Sequence, residues 1–247
     1  MQVFIRRAIM RIDKNYWLLS RPVAHRGLWG GEIAENSITA YKNAAEKGYP
    51  IEIDLYLSTD GILYSFHDDT LKRMTGADGK IFDKSSEELN KLRLVGTDEK
   101  IPTFEEVLSI AEGKVPLLIE IKDQPNKEVV DKTVERLKTY KGEFAVQSFN
   151  PLYINRVKKL APEFIRGILA TENKWNTPFK NFILKTMPLN FMIKPDFISY
   201  SYTGLPLKKS KTRGKGVICW TVTDQNTADR VKPFTDNIIF EGFIPKK

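Results

Sequence analysis

Acidic and basic side chains interrupt otherwise apolar, strand-like segments of this 247-residue chain. Glu52 and Asp54 alternate with isoleucines in the segment 51–58. Successive side chains of a strand point to opposite faces, so these two carboxylates share one face. Glu120 and Lys122 share a face of a later apolar segment in the same way. The spacing therefore predicts that three carboxylates and one ammonium group project from strands toward a common site.

Three carboxylates held close together repel one another and resist the loss of water. A hard divalent cation such as Mg²⁺ or Ca²⁺ prefers oxygen ligands and would relieve this repulsion. Arg26 and Lys122 add fixed positive charge beside the acids, and metal with such cations suits a phosphate oxyanion. We therefore predict a phosphate-binding site whose metal ligands are Glu52, Asp54 and Glu120.

The chain contains only two histidines, His25 and His67. His25 lies near the end of the first predicted strand, and His67 ends a strand predicted over 62–67. Two histidines can share the general-base and general-acid steps that displace an alcohol from phosphorus. Taken singly, each residue has a structural explanation, such as a Glu120–Lys122 ion pair or a histidine that only satisfies hydrogen bonds. Their coincidence at strand ends favours catalysis.

Short β-rich runs alternate along the chain with segments of helical periodicity, a pattern typical of a parallel sheet. The predicted strands are 22–27, 51–58, 62–67, 116–122, 144–149, 165–170, 197–202, 217–222 and 238–241. Only Thr59-Asp60-Gly61 separates the second run from the third, which is too short for a parallel crossover and predicts a hairpin. The eight remaining strands predict an α/β fold, a (β/α)₈ TIM barrel with a small insertion after strand two.

The length agrees with this fold, because a single barrel of this type uses about 250 residues. We expect one domain over 1–247, with the hairpin and insertion over about 59–100. Predicted helices cover 36–47, 126–137 and 152–160, and two more begin at Thr103 and after Thr223. In such barrels the chemistry collects at the carboxyl ends of the strands.

Composition excludes several classes of protein. The chain is 41% hydrophobic and 28% charged, which is typical of a globular protein rather than a disordered chain. The single cysteine, Cys219, can form no internal disulfide and cannot alone hold a structural zinc ion. The formal net charge of +8 suggests an anionic partner. No helix-turn-helix, zinc or RNA-recognition pattern accompanies it, so we expect no nucleic-acid partner.

Two segments leave alternatives open. The basic, aromatic stretch 174–194, within a flap over about 171–195, is divided by Pro178 and Pro188. It predicts either a lid or membrane-facing flap, or a short helix that covers the core. Near the N-terminus, Phe4, Ile5, Ile9 and Ile12 predict either a helix lying on an anionic membrane or one that closes an end of the domain.

The expected location is cytoplasmic, with possible peripheral contact to a membrane. The first 25 residues lack an uninterrupted apolar segment before a cleavage site. No window reaches the roughly 18 apolar residues that span a bilayer.

The order of the motifs from about residue 22 to the end resembles the glycerophosphodiester phosphodiesterase family. The first motifs are Ala24-His25-Arg26-Gly27, Glu35-Asn36-Ser37, Glu52-Ile53-Asp54, His67-Asp68 and Glu120-Ile121-Lys122. Further agreement comes from Leu71-Lys72-Arg73-Met74-Thr75, Ile101-Pro102-Thr103-Phe104-Glu105-Glu106, Gln147-Ser148-Phe149 and Cys219-Trp220-Thr221-Val222.

The resemblance implies metal-dependent hydrolysis of glycerophosphodiesters to sn-glycerol 3-phosphate and an alcohol. It implies a divalent metal, Mg²⁺ or Ca²⁺, and a small-molecule substrate. The roles it implies are metal binding by Glu52, Asp54 and Glu120, acid–base catalysis by His25 and His67, phosphate contact by Arg26 and Lys122, and a pocket wall near the glycerol formed by Trp220.

The chain departs from the family pattern at its closing strand. In the family this strand usually ends with an aspartate after two isoleucines and a small residue, whereas Ile238-Ile239-Phe240-Glu241-Gly242 stands here. The departure is expected to alter the lower wall of the substrate pocket and none of the catalytic residues. It leaves the inferred chemistry unchanged.

Three questions stay open at this stage. A related barrel could act on lysophospholipids or sphingomyelin, in the manner of a phospholipase D, or could bind phospholipid headgroups without catalysis. The nucleophile could be water or the substrate's own glycerol 2-hydroxyl. The alcohol group, the choice between Mg²⁺ and Ca²⁺, and the oligomeric state are not specified by the sequence.

Overall fold

A closed parallel barrel organises the molecule in the computed structural model, which describes residues 12–172 and 178–246. The strands in the described residues are β1 (Val23–His25), β2 (Ile51–Leu57), β3 (Leu63–Ser65), β4 (Leu117–Ile121), β5 (Phe144–Ser148), β6 (Arg166–Ala170), β7 (Phe197–Ser201), β8 (Gly216–Val222) and β9 (Asn237–Phe240). Eight of them run β1-β9-β8-β7-β6-β5-β4-β2, and β1 pairs with β2 to close the ring. This confirms the predicted (β/α)₈ barrel.

Most helices lie between strands on the outside of the barrel, and α1 precedes the first strand. Those in the described part of the chain are α1 (Trp17–Ser20), α2 (Ile38–Glu46), α3 (Lys72–Thr75), α4 (Ser86–Leu89), α5 (Phe104–Ala111), α6 (Glu128–Leu137), α7 (Pro151–Leu160), α8 (Pro178–Thr186), α9 (Asn190–Ile193), α10 (Lys209–Thr212) and α11 (Gln225–Val231). Local signals set their starts: Thr103 and Glu106 form a reciprocal capping box at α5, which satisfies otherwise unpaired amides.

β3 is the hairpin strand, as the Asp-Gly turn predicts. It pairs antiparallel with β2, with Leu55 opposite Ser65, and therefore takes no place in the ring. The chain after it forms a small insertion that contains α3 and α4. Tyr56 of β2 packs with Phe66, Leu71 and Ile81 in a separate cluster beneath this insertion. The insertion is thus anchored beside the carboxyl end of β2.

An apolar plug fills the amino-terminal end of the barrel. Trp17 and Leu18 of α1 pack with Val23, Leu118 and Phe197 from the strands. This end of the barrel is therefore filled, and its buried polar side chains, such as Asn237, bond to the backbone of the plug.

The N-terminal prediction is addressed in part. Ile12 is buried and belongs to the same cluster as α1, as expected of a segment that closes one end of the domain. Phe4, Ile5 and Ile9 lie outside the described residues.

In its described residues, the flap after β6 contains the helices α8 and α9, with Pro188 between them. Met187 and Ile193 are buried in a cluster with Ile168 of β6. Phe182 and Phe191 are 57% and 69% exposed. The flap thus covers part of the core and also presents aromatic rings outward. Over 12–172 and 178–246, the helices are all too short or too polar to cross a bilayer.

Candidate active site

A tight turn after β1 positions the first histidine and its arginine. Arg26 and Gly27 both have left-handed backbone conformations, with φ of 58° and 84°. A Cβ at Gly27 would lie 2.7 Å from the backbone carbon of Ala40, so this position requires glycine. The Arg26 amide donates to the Glu52 carbonyl at 3.1 Å. The turn therefore places His25 and Arg26 beside the acidic strand β2.

The three predicted carboxylates meet, as the strand spacing predicts. Asp54 on β2 stands opposite Glu120 on β4 in the parallel register. One oxygen from each of Glu52, Asp54 and Glu120 lies within 4.8 Å of the others, and all three residues are buried. Lys122 Nζ lies 3.0 Å from Glu120 Oε1 and 3.3 Å from Asp54 Oδ1. The ion pair considered as a structural alternative thus exists within the acidic cluster.

The electrostatics of the cluster fit a cation. Burial raises the pKa of Glu52 well above its usual value, and the charges of Asp54 and Glu120 raise it further. Burial acts on Asp54 in the same direction, but Lys122, His67 and Arg26 outweigh it and lower the pKa of Asp54. The nearby cations therefore do not fully balance the negative charge of the triad, and Glu52 is the carboxylate left uncompensated. A divalent ion with oxygen ligands would supply the missing positive charge, so the triad could hold a metal ion.

The Glu35-Asn36-Ser37 motif supports this cluster from behind. Asn36 Nδ2 donates to Asp54 Oδ2 at 3.1 Å, and Tyr41 Oη donates to Asn36 Oδ1 at 2.7 Å. Ser37 caps the start of α2 by accepting from the Ala40 amide. Asn36 adopts a left-handed φ of 52°. The motif therefore orients one carboxylate of the triad through a buried amide.

His25 contacts a residue from the other end of the chain. Its Nδ1 lies 2.5 Å from Oε2 of Glu241, which directly follows β9. Its Nε2 lies 3.9 Å from Glu52 Oε2. The departure at Glu241 was expected to leave the catalytic residues untouched. The structure instead brings Glu241 onto His25, because the pairing of β1 with β9 sets their strand ends side by side.

His67 is held by a hydrogen bond to Asp68, which is in turn fixed by ion pairs. Its Nδ1 lies 2.7 Å from Asp68 Oδ1. Arg73 bonds Asp68 at 2.6 Å and Glu35 at 2.6 Å, and Glu35 also accepts from Arg26 at 2.8 Å. Burial lowers the pKa of His67, and the charge of Asp54 offsets this only in part. The neutral ring is therefore favoured at neutral pH.

These groups surround a small cavity of about 60 Å³, which opens beside a wider cleft of about 700 Å³. His67, Glu120 and Phe149 line both spaces. Among the described residues, the buried Gln147 Oε1 and Trp220 Nε1 have no hydrogen-bond partner. Both residues line the small cavity. That cavity is therefore a confined polar pocket with unsatisfied donors and acceptors, while the cleft is open to solvent.

All eight residues singled out in the sequence lie at one end of the barrel. The small cavity is lined by His25, Arg26, Glu52, His67, Glu120 and Trp220. Lys122 lines the adjoining cleft and contacts both Glu120 and Asp54. Sequence reasoning did not predict that Glu241 contacts His25 or that Gln147 lines the small cavity. Each is polar and lies at the end of an apolar strand, so the same rule applied to every strand would have identified them.

The carboxylate triad, the two cations and the two histidines at these strand ends are the groups that hydrolysis of a phosphodiester requires. The model of the Glycerophosphoryl diester phosphodiesterase family matches residues 25–240, and the chain belongs to this family.

Named relatives agree with the family assignment. The chain is 31% identical over 237 residues to a glycerophosphodiester phosphodiesterase of Caldanaerobacter subterraneus subsp. tengcongensis, covering 88% of this chain and 92% of that protein. It is 32% identical over 149 residues to a lysophospholipase D of Rattus norvegicus, covering 55% of this chain and 46% of that protein.

A solved structure shares the fold. The Oleispira antarctica phosphodiesterase in complex with the product sn-glycerol-3-phosphate aligns with a TM-score of 0.77 at 25% identity. The alignment covers 91% of this chain and 94% of that one.

Proposed function

We propose that this protein hydrolyses glycerophosphodiesters to sn-glycerol 3-phosphate and an alcohol, using a divalent metal and its two histidines. The observation that carries this proposal is the small cavity, where both histidines and two members of the carboxylate triad face one another. The product named for the Oleispira antarctica structure supports the same substrate class.

The triad is the proposed metal site, with Glu52, Asp54 and Glu120 as ligands of Mg²⁺ or Ca²⁺. When bound, such an ion supplies Lewis-acid stabilisation of charge on a phosphoryl oxygen. Arg26 and Lys122 border the triad: Arg26 Nε lies 3.5 Å from Asp54 Oδ2, and Lys122 contacts Asp54 and Glu120. We assign both side chains to the phosphate, whose negative charge they would offset.

The two histidines are the proposed acid–base pair. In each ring Nδ1 bonds a carboxylate, Glu241 or Asp68, which leaves Nε2 free to exchange a proton in the cavity. One histidine removes the proton from the nucleophile, either water or the glycerol 2-hydroxyl. The other, in its doubly protonated imidazolium form, donates its Nε2 proton to the leaving alkoxide and becomes neutral. Attack by the 2-hydroxyl would pass through a cyclic phosphate, and attack by water would not.

The glycerol is assigned to the small cavity. Its walls include Trp220 and Gln147, whose unsatisfied Nε1 and Oε1 atoms could bond the hydroxyl groups of a polyol. A buried polar group without a partner costs about 1–3 kcal/mol, so a ligand that bonds both atoms removes that cost at each of them. The leaving alcohol would then extend into the open cleft.

The decisive experiment is a substrate panel. The purified protein is incubated with glycerophosphoethanolamine, glycerophosphocholine and glycerophosphoglycerol, each with Mg²⁺, Ca²⁺ or chelator. Release of glycerol 3-phosphate is followed with a coupled dehydrogenase. We expect release with metal and none after exhaustive chelation. Absence of release with every substrate and both metals would refute the proposal, and headgroup binding without turnover would favour the non-catalytic barrel.

A lipid substrate is the second candidate, because of the flap. Phe182 and Phe191 are largely exposed, and Ile183 and Leu184 line an apolar pocket together with Phe149 of the active site. Lys185 is 53% exposed on the same helix. This surface could contact an anionic membrane or guide an acyl chain to the cleft. Faster turnover of lysophosphatidylcholine or sphingomyelin than of glycerophosphoethanolamine would favour this candidate.

A further inference from the structure

The contact between Glu241 and His25 joins the first and last strands of the barrel. β1 pairs with β9 in parallel, with Val23 opposite Ile239 and Ala24 opposite Phe240. The next step of that register sets His25 beside Glu241. Their side chains are 13% and 23% exposed, and the Nδ1–Oε2 distance is 2.5 Å. Closure of the barrel therefore creates this pair.

The backbone that leads into Glu241 is anchored by a hydrogen bond and by a buried ring. The Glu241 amide donates to the Val222 carbonyl at 3.0 Å, which ties the residue to β8. The preceding ring, Phe240, is fully buried and packs edge-on against Tyr49 and Phe243. A carboxylate held by rigid strands orients its partner more accurately than one on a mobile loop.

A carboxylate at Nδ1 controls which ring nitrogen of a histidine carries the proton. Glu241 accepts from Nδ1–H, so the neutral ring has no proton on Nε2. The same bond persists when the ring is protonated, because Nδ1 remains a donor. Burial raises the pKa of Glu241, and the charge of Glu35 acts in the same direction. The hydrogen bond and charge of His25, together with the charge of Arg26, outweigh both effects and lower the pKa of Glu241 below its usual value. The glutamate is therefore ionised.

We propose that Glu241 is the positioning residue of His25: it holds the ring so that Nε2, and never Nδ1, faces the phosphodiester. This inference rests on the proposed function only for its effect on turnover. The contact between Glu241 and His25 follows from the pairing of β1 with β9 and does not depend on the proposed function. The family pattern usually has aspartate at this position, and glutamate adds one methylene, which gives the carboxylate more reach across the β1–β9 pair.

Three variants test the kinetic part with glycerophosphoethanolamine and saturating metal. Glu241→Ala removes the acceptor, and Glu241→Gln removes the charge. Both are expected to lower kcat by about 10–100-fold, by analogy with the loss of a partner that orients a metal ligand, with KM changed less than about threefold. Glu241→Asp keeps the charge and should retain more activity than Glu241→Gln. The exposed Glu32 provides a matched control, Glu32→Gln.

A spectroscopic readout is independent of turnover. Because the chain has only two histidines, ¹⁵N NMR of the imidazole rings resolves both, and a His67→Ala variant assigns them. We expect the neutral His25 ring to carry its proton on Nδ1 in the wild type, and to move it to Nε2 in Glu241→Ala. Melting temperatures confirm that the variants are folded.

The outcomes separate this inference from the proposed function. An unchanged tautomer in Glu241→Ala overturns the inference, whatever the kinetics. So does an unchanged kcat in both Glu241→Ala and Glu241→Gln of an active enzyme. If the wild type releases no glycerol 3-phosphate, the proposed function fails, and the tautomer measurement still decides the role of Glu241.

Discussion

His25 receives its carboxylate from a residue 216 positions away, whereas His67 receives its own from the next residue in the chain. The His25 pair is formed by the register of two barrel strands. The His67 pair is held by side chains, since Asp68 also binds Arg73, which is 48% exposed. One support therefore depends on closure of the barrel, and the other on ion pairs that water and salt can reach.

The largest expected effect comes from removing either ring. His25→Ala and His67→Ala should each lower kcat by about 10²–10⁴-fold, the usual contribution of one acid–base group. Equal losses would mean that the two histidines are equally necessary, although their carboxylate partners are held in different ways. The coupled glycerol 3-phosphate assay measures this. Near-normal turnover in both variants would contradict the assignment, and a loss confined to one would leave a single acid–base histidine.

Glu52→Gln tests the proposed metal ligand that lies nearest to His25. Glu52 belongs to the triad and lies 3.9 Å from His25, so we expect weaker metal binding and lower activity together. Loss of an ion's direct ligand should exceed the 10–100-fold cost in affinity that is typical of losing an outer partner. Calorimetric titration with Mg²⁺ and Ca²⁺ measures it. Unchanged affinity for both ions would exclude Glu52 as a ligand.

Asp68→Asn tests the carboxylate that supports His67. Because Asp68 divides its oxygens between His67 and Arg73, we expect a loss of kcat of about tenfold, at the low end of the range for such partners. The matched control is Asp69→Asn, since the neighbouring Asp69 is 54% exposed and pairs with Lys80. If Asp68→Asn lost more activity than Glu241→Gln, the order of importance of the two supports would be reversed.

The smallest expected effect concerns stability and pH. Burial raises the pKa of Asp68, but Arg73 and His67 outweigh it and hold the pKa at about 2. A carboxyl group whose folded pKa is lowered stabilises the fold above its unfolded pKa of about 3.9, and this contribution is lost as the pH falls toward the folded value. The melting temperature of Arg73→Ala should therefore be lower than that of wild type at pH 6. The difference between the two melting temperatures should shrink as the pH falls from about 4 to about 2.

Thermal melts of a matched variant provide the control for that prediction. Lys72→Ala removes a neighbouring cation that pairs with Asp78, which is 91% exposed. Such an exposed pair contributes little, so its melting temperature should follow wild type at every pH. If the difference in melting temperature between Arg73→Ala and wild type did not vary with pH, the ion pairs around Asp68 would not contribute to the loss of stability in acid.

Much of the fold was predictable because its signals are local. Each strand is a short apolar run, the Asp-Gly turn can only join antiparallel strands, and Thr103 with Glu106 marks a helix start. The triad followed from spacing, since residues two apart in a strand share a face. The break in the flap at Pro188 was predictable from the missing amide of proline.

The other contacts of the site required the folded chain. Arg73 reaches Glu35 across 38 positions, and Glu241 reaches His25 across 216. No local pattern encodes such pairs, because they depend on strand register and on how far a side chain extends. The small volume of the cavity likewise depends on the packing of rings such as Trp220 and Phe149.

Residue types and their spacing were enough to identify the barrel, the carboxylate triad and the two histidines, because strand periodicity and hydrophobic runs act over a few residues. Tertiary structure alone decided that Glu241 supports His25 and that Arg73 links His67 to the Arg26 side. Those choices arise when the eighth barrel strand, β9, closes against β1, since closure determines which strand ends become neighbours.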